Sequence, residues 1–157
     1  MAFTTFSGPL RSGTVKEGAG RNTGLAVLAQ SYNSGDLTGD EVGNIDALAF
    51  NIPKGSQIVD ITVDQIVAAT AGTTTVSVGN ASGGAQLMAA VATTAGGRFR
   101  GTATATTQAA WQTSTTADTT VYVRVAVGTA TLTAGQFILT VSYVQRASNG
   151  AQNPASA

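Results

Sequence analysis

The sequence predicts an all-β sandwich, and three observations support that prediction. Short runs of Thr, Ala, Ser and Val alternate with glycine-containing turns, a composition typical of sheets and turns. Three separate segments alternate apolar and polar residues with the period of two that half-buried strands show. Finally, the strand candidates follow one another without long helical segments between them, which argues against a parallel α/β sheet.

The three alternating segments are the strongest evidence for strands. Their apolar stripes are Val59, Ile61 and Val63; Val121, Val123, Val125 and Val127; and Phe137, Leu139, Val141 and Tyr143. Because successive strand residues point to opposite faces, we expect each stripe to face the core. The predicted inward-facing set is Val59, Ile61, Val63, Val76, Val78, Val123, Val125, Leu139 and Val141. Asp60 and Asp64 lie on the opposite face of the first stripe, so we expect them to face solvent and to discourage aggregation.

The remaining elements follow from alternation and turn signals. Predicted strands span residues 25–31, 45–52, 57–66, 73–78, 98–104, 119–127 and 136–145, with a weaker one at residues 9–16. Turn-forming residues fill 53–56 and 80–84, and 128–135 is a connection of hairpin length. Residues 85–92 contain helix formers but span only about two turns, so helix and buried strand both stay open there.

This pattern divides the chain into three parts. Residues 1–20 form an N-terminal arm, residues 21–146 a single β-sandwich domain, and residues 147–157 a C-terminal tail. The tail has no apolar anchor, so we expect it to be disordered unless a partner orders it.

The composition excludes most enzymatic chemistry. The 157 residues include no His and no Cys, which removes thiolate nucleophiles, Cys-based metal sites and the commonest general base. We therefore predict a protein that is not an enzyme, with no catalytic residues, no cofactor and no metal site. The one enzymatic alternative is a hydrolase that uses carboxylates alone.

Charge and hydropathy limit the classes of partner that we expect this protein to bind. Eight basic and eight acidic residues cancel and are scattered along the chain, so we expect no nucleic-acid partner. No apolar run approaches the roughly 20 residues of a membrane span, so we expect no membrane partner. The first ten residues lack an export signal, so we expect synthesis in the cytoplasm.

One acidic cluster could bind a cation. Asp36, Asp40 and Glu41, with Asp46 beyond, resemble a Ca²⁺ loop because that ion takes several carboxylate oxygens from one turn. Their spacing departs from the EF-hand pattern, so we interpret the segment as a solvated loop. Residues 18–24 resemble a dinucleotide-binding loop but lack the strand and helix that would flank one.

Two groups of residues are candidate contact sites. Arg98, Phe99 and Arg100 alternate charge with an aromatic ring, and Arg is enriched at interface hot spots, as is Trp, here the single Trp111. The alternative places Phe99 in the core beneath two solvated arginines, with Trp111 covering one end of the sandwich. The second group is Phe3, Phe6 and Leu10. Gly, Ser and Thr surround these apolar residues, so the segment shows no sustained alternation of apolar and polar residues. Exposed aromatics on an arm usually dock on a partner.

Several segments resemble small virion proteins of tailed bacteriophages, namely the head decoration, or cement, proteins. These are residues 52–64 (IPKGSQIVDITVD), 75–79 (TVSVG) and 91–98 (VATTAGGR), together with 6–10 (FSGPL) and 12–15 (SGTV). The similarity runs from Phe6 to Val144. It implies a jelly-roll-like sandwich, commonly trimeric, that binds the outer surface of a phage capsid and resists the internal pressure of packaged DNA.

The resemblance implies two partners, the major capsid protein and other copies of this chain in a homo-oligomer, expected to be a trimer. It also implies the outer surface of the virion as the location. With a capsid as partner, the two groups of candidate contact residues become candidate capsid contacts: Phe3, Phe6, Leu10, Arg98, Phe99 and Arg100. Two alternatives remain. One is a tail or head–tail junction protein. The other is a carbohydrate-binding jelly roll in which Trp111 and Tyr122 stack on sugars.

Overall fold

The computed structural model describes residues 27–70, 73–100, 105–112 and 117–145, and these contain eight strands and one short helix. The strands are β1 (Leu28–Asn33), β2 (Gly43–Ile52), β3 (Ser56–Val67), β4 (Thr74–Gly79), β5 (Met88–Ala92), β6 (Gly97–Arg100), β7 (Thr119–Val127) and β8 (Gln136–Gln145), and the helix is α1 (Ala105–Gln112). The predicted all-β sandwich is therefore confirmed. The predicted arm, residues 1–20, and the predicted tail, residues 147–157, both lie outside the described residues.

The strand order is that of a jelly roll. One four-stranded sheet, sheet A, has the order β1-β8-β3-β6, and the other, sheet B, has the order β2-β7-β4-β5. All of these pairs are antiparallel. The first strand pairs with the last, the second with the seventh, the third with the sixth and the fourth with the fifth. This nested pairing is the folded double hairpin that defines the eight-stranded jelly roll.

The core lies between the sheets and is built mainly from the predicted stripes. Eight of the nine predicted inward-facing residues are buried: Ile61, Val63, Val76, Val78, Val123, Val125, Leu139 and Val141. The largest fully buried side chains also include Phe137, which belongs to the third stripe, and Leu87, Met88 and Leu132, which lie outside the stripes.

The prediction for Val59 is wrong. Its side chain is 50% exposed, because the pairing of β3 with β8 shifts register between Ile58 and Asp60. At such a bulge two residues of one strand oppose one of its partner, so the inward-outward alternation restarts. Ile58 packs against the core in place of Val59.

One alternative that the sequence left open is resolved, and one element was not predicted. The ambiguous segment contains a strand, β5, which pairs with β4. Helix α1 lies in a Thr/Ala-rich stretch where the sequence predicted no element. The connection at residues 128–135 is not a hairpin, since it carries the chain from sheet B to sheet A.

The sandwich has two distinct ends. Leu28 at the start of β1 pairs with Tyr143 near the end of β8, so the chain enters and leaves sheet A at one end. We call this the terminal end. At the other, the loop end, the β1–β2 connection is hydrogen-bonded to the β7–β8 connection: Leu37 and Gly39 donate to Gly135 and Leu132 at 2.9 and 2.8 Å.

Candidate interaction surfaces

The outer face of sheet A carries an ion-pair ladder at its β6 edge. Arg98 lies directly opposite Asp64 in register and binds it with both ends of its guanidinium, Nε to Oδ1 at 2.5 Å and Nη2 to Oδ2 at 3.0 Å. Arg100 Nη2 lies 3.3 Å from Asp60 Oδ2. The hydrogen bonds from Arg98 hold the pKa of Asp64 below its ordinary value, although partial burial acts in the opposite sense. The ladder therefore presents balanced charge.

Phe99 lies between these arginines and points the other way. It packs against the core, whereas the Arg98 and Arg100 side chains stay largely exposed, at 63% and 70%. This is the alternative arrangement that the sequence allowed. Because β6 is an edge strand, its outer backbone groups face away from the sheet and can pair with another chain.

The outer face of sheet B carries a second ion pair, which anchors a loop. Arg124 on β7 donates to both carboxylate oxygens of Asp46 on β2, at 2.7 and 2.9 Å. Ser82 in the β4–β5 loop donates to the same carboxylate at 3.1 Å. The Arg124 hydrogen bond is the main cause that lowers the pKa of Asp46. Gly83, at φ 77°, lies so close that a Cβ there would clash with the Arg124 guanidinium.

The loop end contains the acidic cluster and an open seam. Asp36 accepts hydrogen bonds from the Thr38 backbone at 2.9 Å and hydroxyl at 2.6 Å, and the hydroxyl bond is the first cause that lowers its pKa. Behind this loop, the edges of β1 and β2 leave a groove of about 240 Å³, which we call the β1–β2 groove. Its lining is Tyr32, Ser34, Asp36, Leu37, Asp40, Ile45, Ala47, Val123, Val125 and Phe137.

The terminal end contains Trp111. Helix α1 places the ring against the core, and its Nε1 donates to the carbonyl of Leu87 at 2.7 Å. The ring lines a cavity of about 210 Å³ with Ile52, Ile58 and other residues. Ser56 also lines it, and its buried hydroxyl has no hydrogen-bond partner among the described residues. The predicted position of Trp111 at one end of the sandwich agrees with this arrangement.

The structure brings together some of the predicted contact residues. Arg98, Phe99 and Arg100 lie on one edge strand, β6. The arm residues Phe3, Phe6 and Leu10 fall outside the described residues. Trp111 and Tyr122 do not form one aromatic platform. Tyr122 alternates on β7 with the buried Val121 and Val123 and so faces outward from sheet B, while Trp111 packs over the end of the core.

Sequence reasoning missed the pairing of the acidic residues. Asp60 and Asp64 face outward as predicted, but both pair with arginines of β6 rather than with solvent alone. Asp46 was grouped with the loop cluster, yet it belongs to β2 and binds Arg124. Within residues 27–145, excluding the undescribed gaps, no three acidic side chains are arranged to hold a metal ion. In the same part of the chain, no helix is long and apolar enough to cross a membrane.

Comparison with known proteins identifies the fold. No protein-family model and no curated protein matches the sequence. A chain in the cyanophage Pam1 capsid asymmetric unit superposes with a TM-score of 0.62 at 21% identity, over 84% of this chain and 94% of that one. This protein shares its fold with chains of phage capsid structures. A chain from the capsid of Ralstonia phage GP4 gives a TM-score of 0.59 at 24% identity, over 78% of this chain and 86% of that one.

A third structure extends the comparison. A chain in the acid-stable capsid of the Helicobacter pylori bacteriophage KHP30 has a TM-score of 0.53 at 14% identity, over 78% of this chain and 94% of that one. At these identities the shared property is the jelly-roll fold itself.

Proposed function

We propose that this chain is a virion structural protein that binds the outer surface of a phage capsid as a decoration protein and stabilises the capsid against the pressure of packaged DNA. The observation that supports this is the extent of the structural match. The superposition covers 94% of the Pam1 capsid chain, so that chain is also a small single-domain jelly roll. Jelly rolls are a recurrent fold of viral capsid domains, and a chain of this size suits a subunit added to the shell.

The N-terminal arm supplies the main attachment. Phe3, Phe6 and Leu10 lie in a segment that the described strands do not need to complete either sheet. Burial of such side chains contributes roughly 1.5 to 3 kcal/mol each. In an oligomer, one bound arm raises the effective concentration of the others, so modest contacts hold firmly. The β6 edge is the second contact, since the Arg98 and Arg100 guanidinium groups are exposed and β6 has a neighbouring strand on one side only among the described residues.

The topology suits a subunit that bears load. The arm enters the sandwich at β1, which pairs with β8 over six residues, Leu28 to Asn33. β8 in turn pairs with β3 along most of its length. A pull on the arm therefore acts on the whole antiparallel ladder of sheet A and on the core side chains Leu139 and Val141, rather than on one isolated hairpin.

The exposed edges favour self-association. Strands β1, β2, β5 and β6 are the edges of the two sheets, and none of the four contains Lys or Pro, the residues that commonly protect edges. Contact with neighbouring copies removes edges from solvent, and closed symmetry would give a trimer or another small ring.

The primary experiment asks where the protein is and how it attaches. Purified virions are expected to contain it at a fixed ratio to the major capsid protein, and its absence from virions would contradict the proposal. In a second assay, empty heads are titrated with the wild type, a deletion of residues 2–10, and Arg98→Ala/Arg100→Ala. We expect the deletion to bind more weakly than the double variant. A deletion that folds and still decorates heads with wild-type affinity would show that the arm is not the anchor.

A further inference from the structure

We propose that the β1–β2 groove is the docking site for the basic part of the N-terminal arm, residues 11–21, of a second copy of this chain. The groove is apolar within and acidic at its rim. Tyr32, Ile45 and Phe137 are among its walls, and Asp36 and Asp40 also line it. Its volume of about 240 Å³ accommodates one aliphatic side chain and the stem of an adjacent long side chain.

The charge distribution identifies the occupant. Residues 27–145 contain seven acidic and four basic side chains, whereas residues 11–21 contain three basic and one acidic. Three aspartates of the sandwich are paired with arginines of the sheets. Asp36, Asp40 and Glu41 take part in none of those three ion pairs. The remaining residues of opposite charge, Asp118 and Lys54, lie together, since the Asp118 carboxylate accepts a hydrogen bond from the Lys54 backbone N–H at 2.9 Å. The unbalanced negative charge of residues 27–145 therefore lies on the β1–β2 loop, beside the groove.

The arm has a matching pattern. Val15 lies between Arg11 and Lys16, and Arg21 follows. Lys and Arg pack their apolar stems along apolar walls while their charged groups reach out to carboxylates. An extended segment of this kind places Val15 in the groove and basic groups at its acidic rim.

The direction of the chain favours a second copy. The described chain reaches β1 at the terminal end, whereas the acidic loop follows Asn33 at the opposite end. A strand of six residues spans about 20 Å, so a chain's own arm would have to reverse and run back along β1. The arm of a neighbouring copy needs no such reversal. This inference rests on one part of the proposed function, namely that many copies of the chain lie close together.

A charge-exchange experiment tests the inference with full-length protein and no capsid. Variant A is Asp40→Lys/Glu41→Lys, which reverses the rim but keeps Asp36, because its carboxylate holds the loop through Thr38. Variant B is Arg11→Glu/Lys16→Glu, which reverses the arm. Sedimentation velocity at low salt measures the association of each variant alone and of an equimolar mixture. We expect each variant alone to associate at least about tenfold more weakly than the wild type, and the mixture to recover part of that loss. In a ring of three, at least one contact joins two copies of the same variant, so recovery is expected to be partial.

Each result of the sedimentation experiment supports or contradicts docking of the arm in the β1–β2 groove. If A or B alone associates like the wild type, the groove does not bind the arm. If both are weakened but the mixture shows no recovery, the arm does not dock between copies. The matched control, Asp60→Lys/Asp64→Lys, makes the same charge change on sheet A, and equal weakening there would attribute the effect to net charge and overturn the proposal. Circular dichroism verifies that each variant is folded. Failure here leaves the head-decoration assay independent, since no capsid is present.

Discussion

The register shift in β3 makes a quantitative prediction about two valines of one strand. Val63 is fully buried and Val59 is 50% exposed. Val→Ala removes the equivalent of two methylene groups, each contributing about 0.8 kcal/mol when buried, and a buried site adds a cavity cost. We expect Val63→Ala to lower the free energy of unfolding by about 2 to 3 kcal/mol and Val59→Ala by less than about 1 kcal/mol. Both changes lower β-propensity, so that contribution cancels in the comparison.

The assay is urea unfolding followed by the fluorescence of the single Trp111. It is run at one fixed protein concentration, because the proposed self-association would add stability. The difference of more than about 1 kcal/mol corresponds to a few degrees in melting temperature. A second pair sharpens the test: Val59→Thr is expected to be tolerated, whereas Val63→Thr buries a hydroxyl and should cost roughly 1 to 3 kcal/mol more. Equal losses for Val59→Ala and Val63→Ala would refute the bulge and the orientation assigned to Val59.

Two further predictions concern the Asp46–Arg124 pair. The pKa of Asp46 in the folded protein is lowered from 3.8, so its contribution to stability is fully present above that ordinary value and is lost as the pH falls through the lower, folded value. Acid titration of the melting temperature should therefore show a shallower decline for Asp46→Asn, and an unchanged slope would contradict the pairing. Gly83→Ala should lower the free energy of unfolding by about 1 to 2 kcal/mol, because residue 83 has a left-handed backbone conformation. The added methyl group should lower it further by displacing the Arg124 side chain. Gly35→Ala is the matched control, since at φ 71° nothing lies within 4 Å of its added Cβ, and equal losses in thermal unfolding would show that Arg124 is not displaced.

The strands with long alternating stripes could be predicted well from the sequence. The predicted bounds of β7 and β8 coincide with the observed Thr119–Val127 and Gln136–Gln145. In both strands, one face carries an unbroken stripe of large apolar residues, so the pattern of burial and the strand period of two predict the same strand bounds. Strand β5 offers no such stripe, because Met88–Ala92 is mostly alanine and valine. Its identity depends on pairing with β4, which the local sequence does not encode.

The charged surface was less accessible to sequence reasoning. Arg98 and Asp64 are 34 residues apart, and Arg124 and Asp46 are 78 apart. Each pair meets only because two strands that are distant in sequence lie side by side in a particular register. A jelly roll joins strands by nested rather than sequential pairing, so alternation predicts which face a residue occupies but not which residue lies opposite. The acidic residues could be placed on the surface, but their partners could not.

The proposed attachment of the arm to the capsid and the proposed docking of the arm in the β1–β2 groove should respond differently to salt, which provides a final test. The proposed attachment to the capsid through Phe3 and Phe6 would be mainly apolar, so we expect it to persist at high ionic strength. Docking of residues 11–21 on the acidic loop depends on exposed charges, which are screened as the Debye length falls from about 10 Å at 0.1 M salt to about 3 Å at 1 M. In 1 M NaCl, free oligomers should dissociate while protein already on heads stays bound. If salt instead strips the heads before it separates free oligomers, the capsid contact is electrostatic, and the β6 edge with Arg98 and Arg100 is the anchor rather than the aromatic arm.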